Sequence, residues 1–238
     1  MHAVYPKEYA KNYMVKHTLP AKKNTPTSLE PIFQVWGWAL LVWSLYRYFL
    51  KLPEWADELV FKPLIFVAPV LWYVIRKERR PLSSVGITGK KFVSSVMMGL
   101  VFGMIFALEG LFTHYLKYGT FAVDPIAAFG QYGFFLIVIS LATAFCEELL
   151  CRGFLFNRIF EKSHNLIRAA LIASLLFVLL HVPILVTLNK LQGVTLIMFF
   201  VTDFILAFAN SMLFSITGSL VAPILVHVFW NMTVALYL

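Results

Sequence analysis

Phe134 to Gly153 reads FFLIVISLATAFCEELLCRG. An uncharged apolar run leads into two adjacent glutamates and, one helical turn after the second, an arginine. A helix needs about 20 predominantly apolar residues to cross a bilayer, and this stretch supplies them. Each charge at such depth costs about 2.5–3.5 kcal/mol on insertion scales, so Glu147, Glu148 and Arg152 require partners and a purpose. The surrounding chain has the same character, because 60% of its 238 residues are hydrophobic and only 13% are charged. A soluble domain could not hide that much apolar surface. The expected fold is all-α, a polytopic transmembrane helical bundle with the lipid bilayer as its solvent.

Apolar continuity places seven spans at 31–50, 59–76, 92–116, 134–160, 166–188, 194–216 and 218–238. The second contains Pro63 and Pro69, and only Thr217 and Gly218 divide the last two. Prolines within spans are tolerated where neighbouring helices satisfy the freed backbone groups. The expected organisation is a basic cytoplasmic tail at 1–28, N-terminal transmembrane helices at 29–125 and a second group of helices at 126–238 that holds the paired glutamates, all in one membrane domain. The tail has no apolar stretch of the kind a cleaved signal peptide needs, and it reads as retained. Trp36, Trp38, Trp43, Trp55 and Trp72 fall near span ends, where an aromatic belt is expected. Cys146 and Cys151 read as small apolar packing residues. Gly99 and Gly103 form a GxxxG pair suited to close helix packing.

Of the 20 Lys and Arg, fifteen fall in the tail, between spans two and three, and around the turn joining spans four and five. The other five, Arg47, Lys51, Lys62, Lys117 and Lys190, fall on the opposite side. This bias predicts a cytoplasmic N-terminus, and the cell membrane is the expected location. Basic loops beside anionic headgroups account for the net charge of +8. Nucleic acid is not an expected partner.

The remaining polar residues within spans are few. Glu148 and Arg152 stand at i and i+4, acid first, the favourable order for a helical ion pair. Glu147 projects about 100° away around the helix, without that partner and available as a base. Phe177 and His181 share a helix face at the same spacing, as do His227 and Asn231. The latter pair can aim two polar heads at a developing oxyanion. Glu147 and His227 lie near the centres of their spans and His181 about 6 Å beyond the centre of its own, so the three can meet. Asp203 and Asn210, seven apart, line a polar cavity or orient a neighbouring group. Glu109 and His114 are expected at an interface.

Glu147-Glu148-x-x-x-Arg152, Phe177-x-x-x-His181 and His227-x-x-x-Asn231, in that order, resemble the three signature motifs of the CPBP family. That family contains the type II CAAX prenyl endopeptidases and bacterial relatives linked to bacteriocin self-immunity, often labelled Abi. The resemblance covers roughly residues 130–238 and extends to Thr217-Gly218-Ser219-Leu220-Val221-Ala222-Pro223. It implies an intramembrane endopeptidase of glutamate type, acting on a membrane-associated peptide or protein substrate, with prenylated CAAX-type and unprenylated substrates both open. Carried over by motif, Glu147 and His181 hold and activate water, His227 and Asn231 stabilise the oxyanion, and Glu148, Arg152 and Phe177 shape the site. No cofactor is favoured. Zinc on Glu147, His181 and His227 is the alternative, although no His-Glu-x-x-His helix is present. The competing functions are a proton-linked transporter and a non-catalytic immunity or scaffold protein.

Overall fold

The computed structural model describes residues 28–121, 125–188 and 193–237. Most of the tail and Lys190 lie outside them. The expected helical bundle is present, with no strand among the described residues. Helix α1 is Glu30–Phe49, α2 is Glu54–Lys77, α3 is Phe92–Tyr118, α5 is Leu166–Leu188, α6 is Gly193–Thr217 and α7 is Val221–Tyr237. Helix α4 runs as Pro125–Glu148, continues through wider i→i+5 turns over Leu149–Phe156, and ends as Asn157–Ser163.

The breaks follow local chemistry. Gly119 and His164 adopt left-handed backbone at the ends of α3 and α4. Gly218 (φ +67°) closes α6, and Ser219 and Leu220 complete the turn, so α7 begins at Val221 rather than at 218. Pro63 and Pro69 each remove a backbone donor, and α2 absorbs them with i→i+5 turns at Asp57–Phe61, Pro63–Val67 and Tyr73–Lys77.

Among the described residues, five helices are long and apolar enough to cross a membrane: α2, Phe92–Leu116 of α3, Gly133–Ser163 of α4, Leu166–Leu185 of α5 and Leu196–Thr217 of α6. The apolar run in α7, Val221–Ala235, is shorter. Helix α1 has 20 residues, but Gln34, Arg47 and its tryptophans and tyrosines dilute its apolar character. The chain is therefore membrane-embedded, with α1 and α7 completing the bundle against the five longer helices.

Polar rungs fasten α2 to α4, which run parallel. Thr143 donates to Glu58 at 2.5 Å, and one turn further Lys62 Nζ donates to Glu147 Oε1 at 3.0 Å. Beyond the end of α2, Arg80 makes a two-pronged contact with Glu161 at 2.7 Å on each arm, and Arg158 grips Glu78 at 2.6 Å and the Ser84 carbonyl at 3.0 Å. Arg158 is wholly buried and Arg80 nearly so. These two arginines were expected beside headgroups; their carboxylate partners draw them into the protein instead. Trp43 is likewise no belt residue. It is buried under Lys62 and Phe66, whereas Trp38, Trp55 and Trp72 are exposed.

Gly99 and Gly103 face α7, where an added Cβ would meet Leu225 at 2.8 Å and Phe229 at 2.4 Å. Gly153, directly after Arg152, lies against main chain: its Cβ would fall 2.4 Å from the Val85 carbonyl oxygen. Helix propensity alone favours alanine over glycine by about 1 kcal/mol. Overpacking costs about 1–3 kcal/mol and has no flexible side chain to displace here. Gly153→Ala is therefore expected to lower the unfolding temperature in detergent; an increase would place Val85 further away.

Candidate active site

Glu147 is at the middle of the cluster and 5% exposed. Its Oε1 accepts from Lys62, whose Nζ is also 2.5 Å from Glu58 Oε2. Its Oε2 lies 3.7 Å from His181 Nε2 and 3.6 Å from His227 Nε2, and it has no hydrogen-bond partner. These separations are too long for direct hydrogen bonds. They leave Oε2 an acceptor with no donor among the described residues and two ring nitrogens beside it.

The other side of each imidazole is fixed. His181 Nδ1 is 3.2 Å from the Phe177 carbonyl oxygen and 3.2 Å from Asp203 Oδ2. Both neighbours only accept when Asp203 is ionised, so Nδ1 carries the proton and a neutral ring turns its Nε2 lone pair toward Glu147. His227 Nδ1 is 2.8 Å from Glu148 Oε1. The Phe177 ring packs on both imidazoles, with centroid separations of 4.9 Å to His181 and 5.7 Å to His227. The expected contact between Phe177 and His181 is thus present, and one ring braces both histidines.

Glu148 is the hub behind the site. It is fully buried, and Oε1 also accepts from Asn210 Nδ2 at 2.9 Å. Arg152 Nε lies 3.2 Å from Glu148 Oε2, as the i, i+4 spacing anticipates. The guanidinium stacks on Phe177, with Cζ 4.1 Å from the ring centroid. Asn231 follows His227 by one turn on α7; it is half-buried and makes no hydrogen bond among the described residues. The His181 side chain, 20% exposed, is the most open part of the acid–imidazole cluster.

Five helices therefore meet at one level: α2 brings Lys62, α4 the glutamates, α5 His181, α6 Asp203 and Asn210, and α7 His227. Glu147 has a partner that the motif spacing does not supply: Lys62, expected among the charges on the opposite side near the start of the second span, is instead buried against it. Only the cost of a lysine inside hydrocarbon could have marked that residue in the sequence. Asp203 and Asn210 each orient a neighbour, His181 and Glu148 respectively. Cys146 and Cys151 are buried free thiols. Glu109 is exposed.

One histidine from each of the second and third motifs thus faces one carboxylate oxygen of the first. Residues 129–233 match the family model for type II CAAX prenyl endopeptidases, Rce1-like. This is the family grouping that the motifs resemble, and the Rce1-like segment includes Glu147, Glu148, Arg152, Phe177, His181, His227 and Asn231 while leaving α1 to α3 outside. No curated protein and no solved structure matches the chain.

Within the Rce1-like segment, removing one member of a buried ion pair strands the other, at a cost of about 3–5 kcal/mol. Glu148→Ala strands Arg152 and frees His227 and Asn210 together. Chemical unfolding in detergent should show a loss of that size, larger than for Asn210→Ala. Equal losses would mean that Glu148 is not the hub.

Proposed function

We propose that this chain is an intramembrane endopeptidase in which Glu147 and His181 activate water and His227 with Asn231 holds the oxyanion. The observation that carries this reading is the unpartnered Glu147 Oε2 facing two imidazole Nε2 atoms at 3.6 and 3.7 Å. A carboxylate oxygen and a lone-pair nitrogen are both acceptors. A water molecule donates to both, one O–H to Glu147 and the other to His181.

As the water oxygen attacks the peptide carbonyl carbon, its proton passes to Glu147. The carbonyl π pair moves onto oxygen, where His227 Nε2–H and Asn231 stabilise it. With Nδ1–H on the Glu148 carboxylate, His227 donates from Nε2 as a doubly protonated ring whose charge that carboxylate balances. When the tetrahedral intermediate collapses, Glu147 returns the proton to the departing amine as the C–N bond breaks. Two products leave, an acid and an amine, and the carboxylate is regenerated.

The substrate is a membrane-associated peptide or protein, with a prenylated CAAX-type C-terminus as the favoured class. The protein is placed in the cell membrane with its N-terminus in the cytoplasm. Exposed Arg76, Lys77, Arg79, Lys90, Lys162 and Arg168 cluster at one end of the bundle, which supports this orientation.

Zinc would use the same Glu147, His181 and His227 atoms, and their chemical types suit it. The Lys62 ammonium, however, already occupies Glu147 Oε1 and opposes a second cation beside it. The mechanism above therefore uses no metal.

Purified protein should cleave an internally quenched farnesylated CAAX peptide, and Glu147→Gln should lower kcat by about 10²–10⁴-fold, the usual contribution of a general base. Equal rates in the two proteins would remove the hydrolase assignment and leave the scaffold and transport readings. Activity should survive chelation, with elemental analysis showing no stoichiometric zinc. Loss on chelation and recovery with zinc would reassign the three atoms as metal ligands.

A further inference from the structure

Lys62 lies outside the segment that matches the protease family, yet it is 5% exposed and touches that segment's central carboxylate. A lysine within hydrocarbon is costly and is retained where its charge is used. Three neighbours surround the ammonium: Glu58 Oε2 at 2.5 Å, Glu147 Oε1 at 3.0 Å and the Trp43 ring with its centroid at 5.4 Å. Glu58 is itself held by Thr143, one turn before Glu147 on α4. The lysine is thus fixed from both helices.

The contact is specific to one oxygen. Lys62 takes Oε1 and leaves Oε2 to face the two imidazoles. The terminal torsion of a glutamate has a broad, roughly two-fold preference and does not aim the carboxylate by itself. Because the two oxygens are rigidly linked, anchoring Oε1 on the α2 side sets the direction of Oε2. The same contact balances the charge of Glu147 and, together with Glu58, leaves two anions sharing one cation.

We propose that Lys62 is a positioning residue for peptide hydrolysis, supplied by α2, which aims Glu147 Oε2 at the water held with His181. This deepens the assignment of Glu147 as the base and rests on it. It also makes α2 part of the working enzyme, so the Rce1-like segment is not sufficient for catalysis.

The test uses the full chain in lipid nanodiscs and the internally quenched farnesylated CAAX peptide. It compares wild type, Lys62→Met, Lys62→Arg, Lys62→Met/Glu58→Gln and Glu147→Gln. A misplacement near 1 Å costs about 10²-fold, so Lys62→Met should lower kcat by roughly 30- to 100-fold with KM changed less than about twofold. Lys62→Arg, which keeps the cation, should recover most of kcat. The double variant removes one cation and one anion, so it leaves the net charge of the buried cluster unchanged should Lys62→Met alone fail to fold; it should show the same loss. Wild-type kcat in the double variant, or a rise in KM with kcat intact, would overturn the positioning role. Turnover lost in Glu147→Gln but kept in Lys62→Met would sink this role alone, whereas equal turnover by wild type and Glu147→Gln would sink the hydrolase reading with it.

Discussion

A carboxylate in the middle of a membrane helix must be matched by charge or hydrogen bonds, and most of the polar architecture of this protein answers that requirement. Glu147 and Glu148 are adjacent on α4, so one helical step sends them in different directions. Glu148 turns inward to Arg152, His227 and Asn210. Glu147 turns to Lys62 on one oxygen and to two imidazoles on the other. Glu148 has Asn210 and His227 on one oxygen and the Arg152 guanidinium beside the other, while Glu147 Oε2 has only the two imidazoles near it, at 3.6 and 3.7 Å. That division leaves a lone pair on Glu147 without a donor, as the base proposed above requires.

The supports come from every side. The Asp203 carboxylate and the Phe177 carbonyl set the protonated nitrogen of His181, and Glu148 faces the corresponding nitrogen of His227. Phe177 packs between Arg152 and the two histidines. The wide turns over Leu149–Phe156 occur just after the glutamates, and all eight of these residues are buried. Such turns are frequent at functional sites. At the basic end of the bundle, Arg80 and Arg158 bind Glu161 and Glu78, tying the end of α2 to the end of α4. With Lys62 and Glu58 further along, the two helices are held at both ends of their contact, which keeps Lys62 level with Glu147.

The three motif pairs were legible in the sequence because each is local: residues four apart on a helix share a face whatever the rest of the fold does. Five of the seven expected spans were legible for a similar reason, since apolar continuity and length are properties of a window; α1 and α7 fall short by that measure. The division at Gly218 was also visible, and the positive φ there confirms it. Lys62 was not legible in its role. From sequence it looks like a charge near the start of a span, and only the parallel register of α2 against α4 brings it to Glu147. Arg80 and Arg158 look like headgroup-facing charges until their carboxylates are placed in space. Trp43 reads as an interfacial residue until Lys62 and Phe66 cover it. Asp203 was seen as polar and buried, but its partner His181 is on another helix. Contacts within one helix could be read; contacts between helices had to be seen.

The central claim is that both imidazole Nε2 atoms face one oxygen of Glu147. Side-chain 15N NMR of the histidines in lipid, for wild type and Glu147→Gln, with the His181 and His227 signals assigned by substitution, measures it most directly. Neutralising that carboxylate should move the Nε2 resonances of both rings and leave those of His114 and His164 in place. If neither His181 nor His227 responds, the two rings do not share Glu147 and the site as described here does not exist.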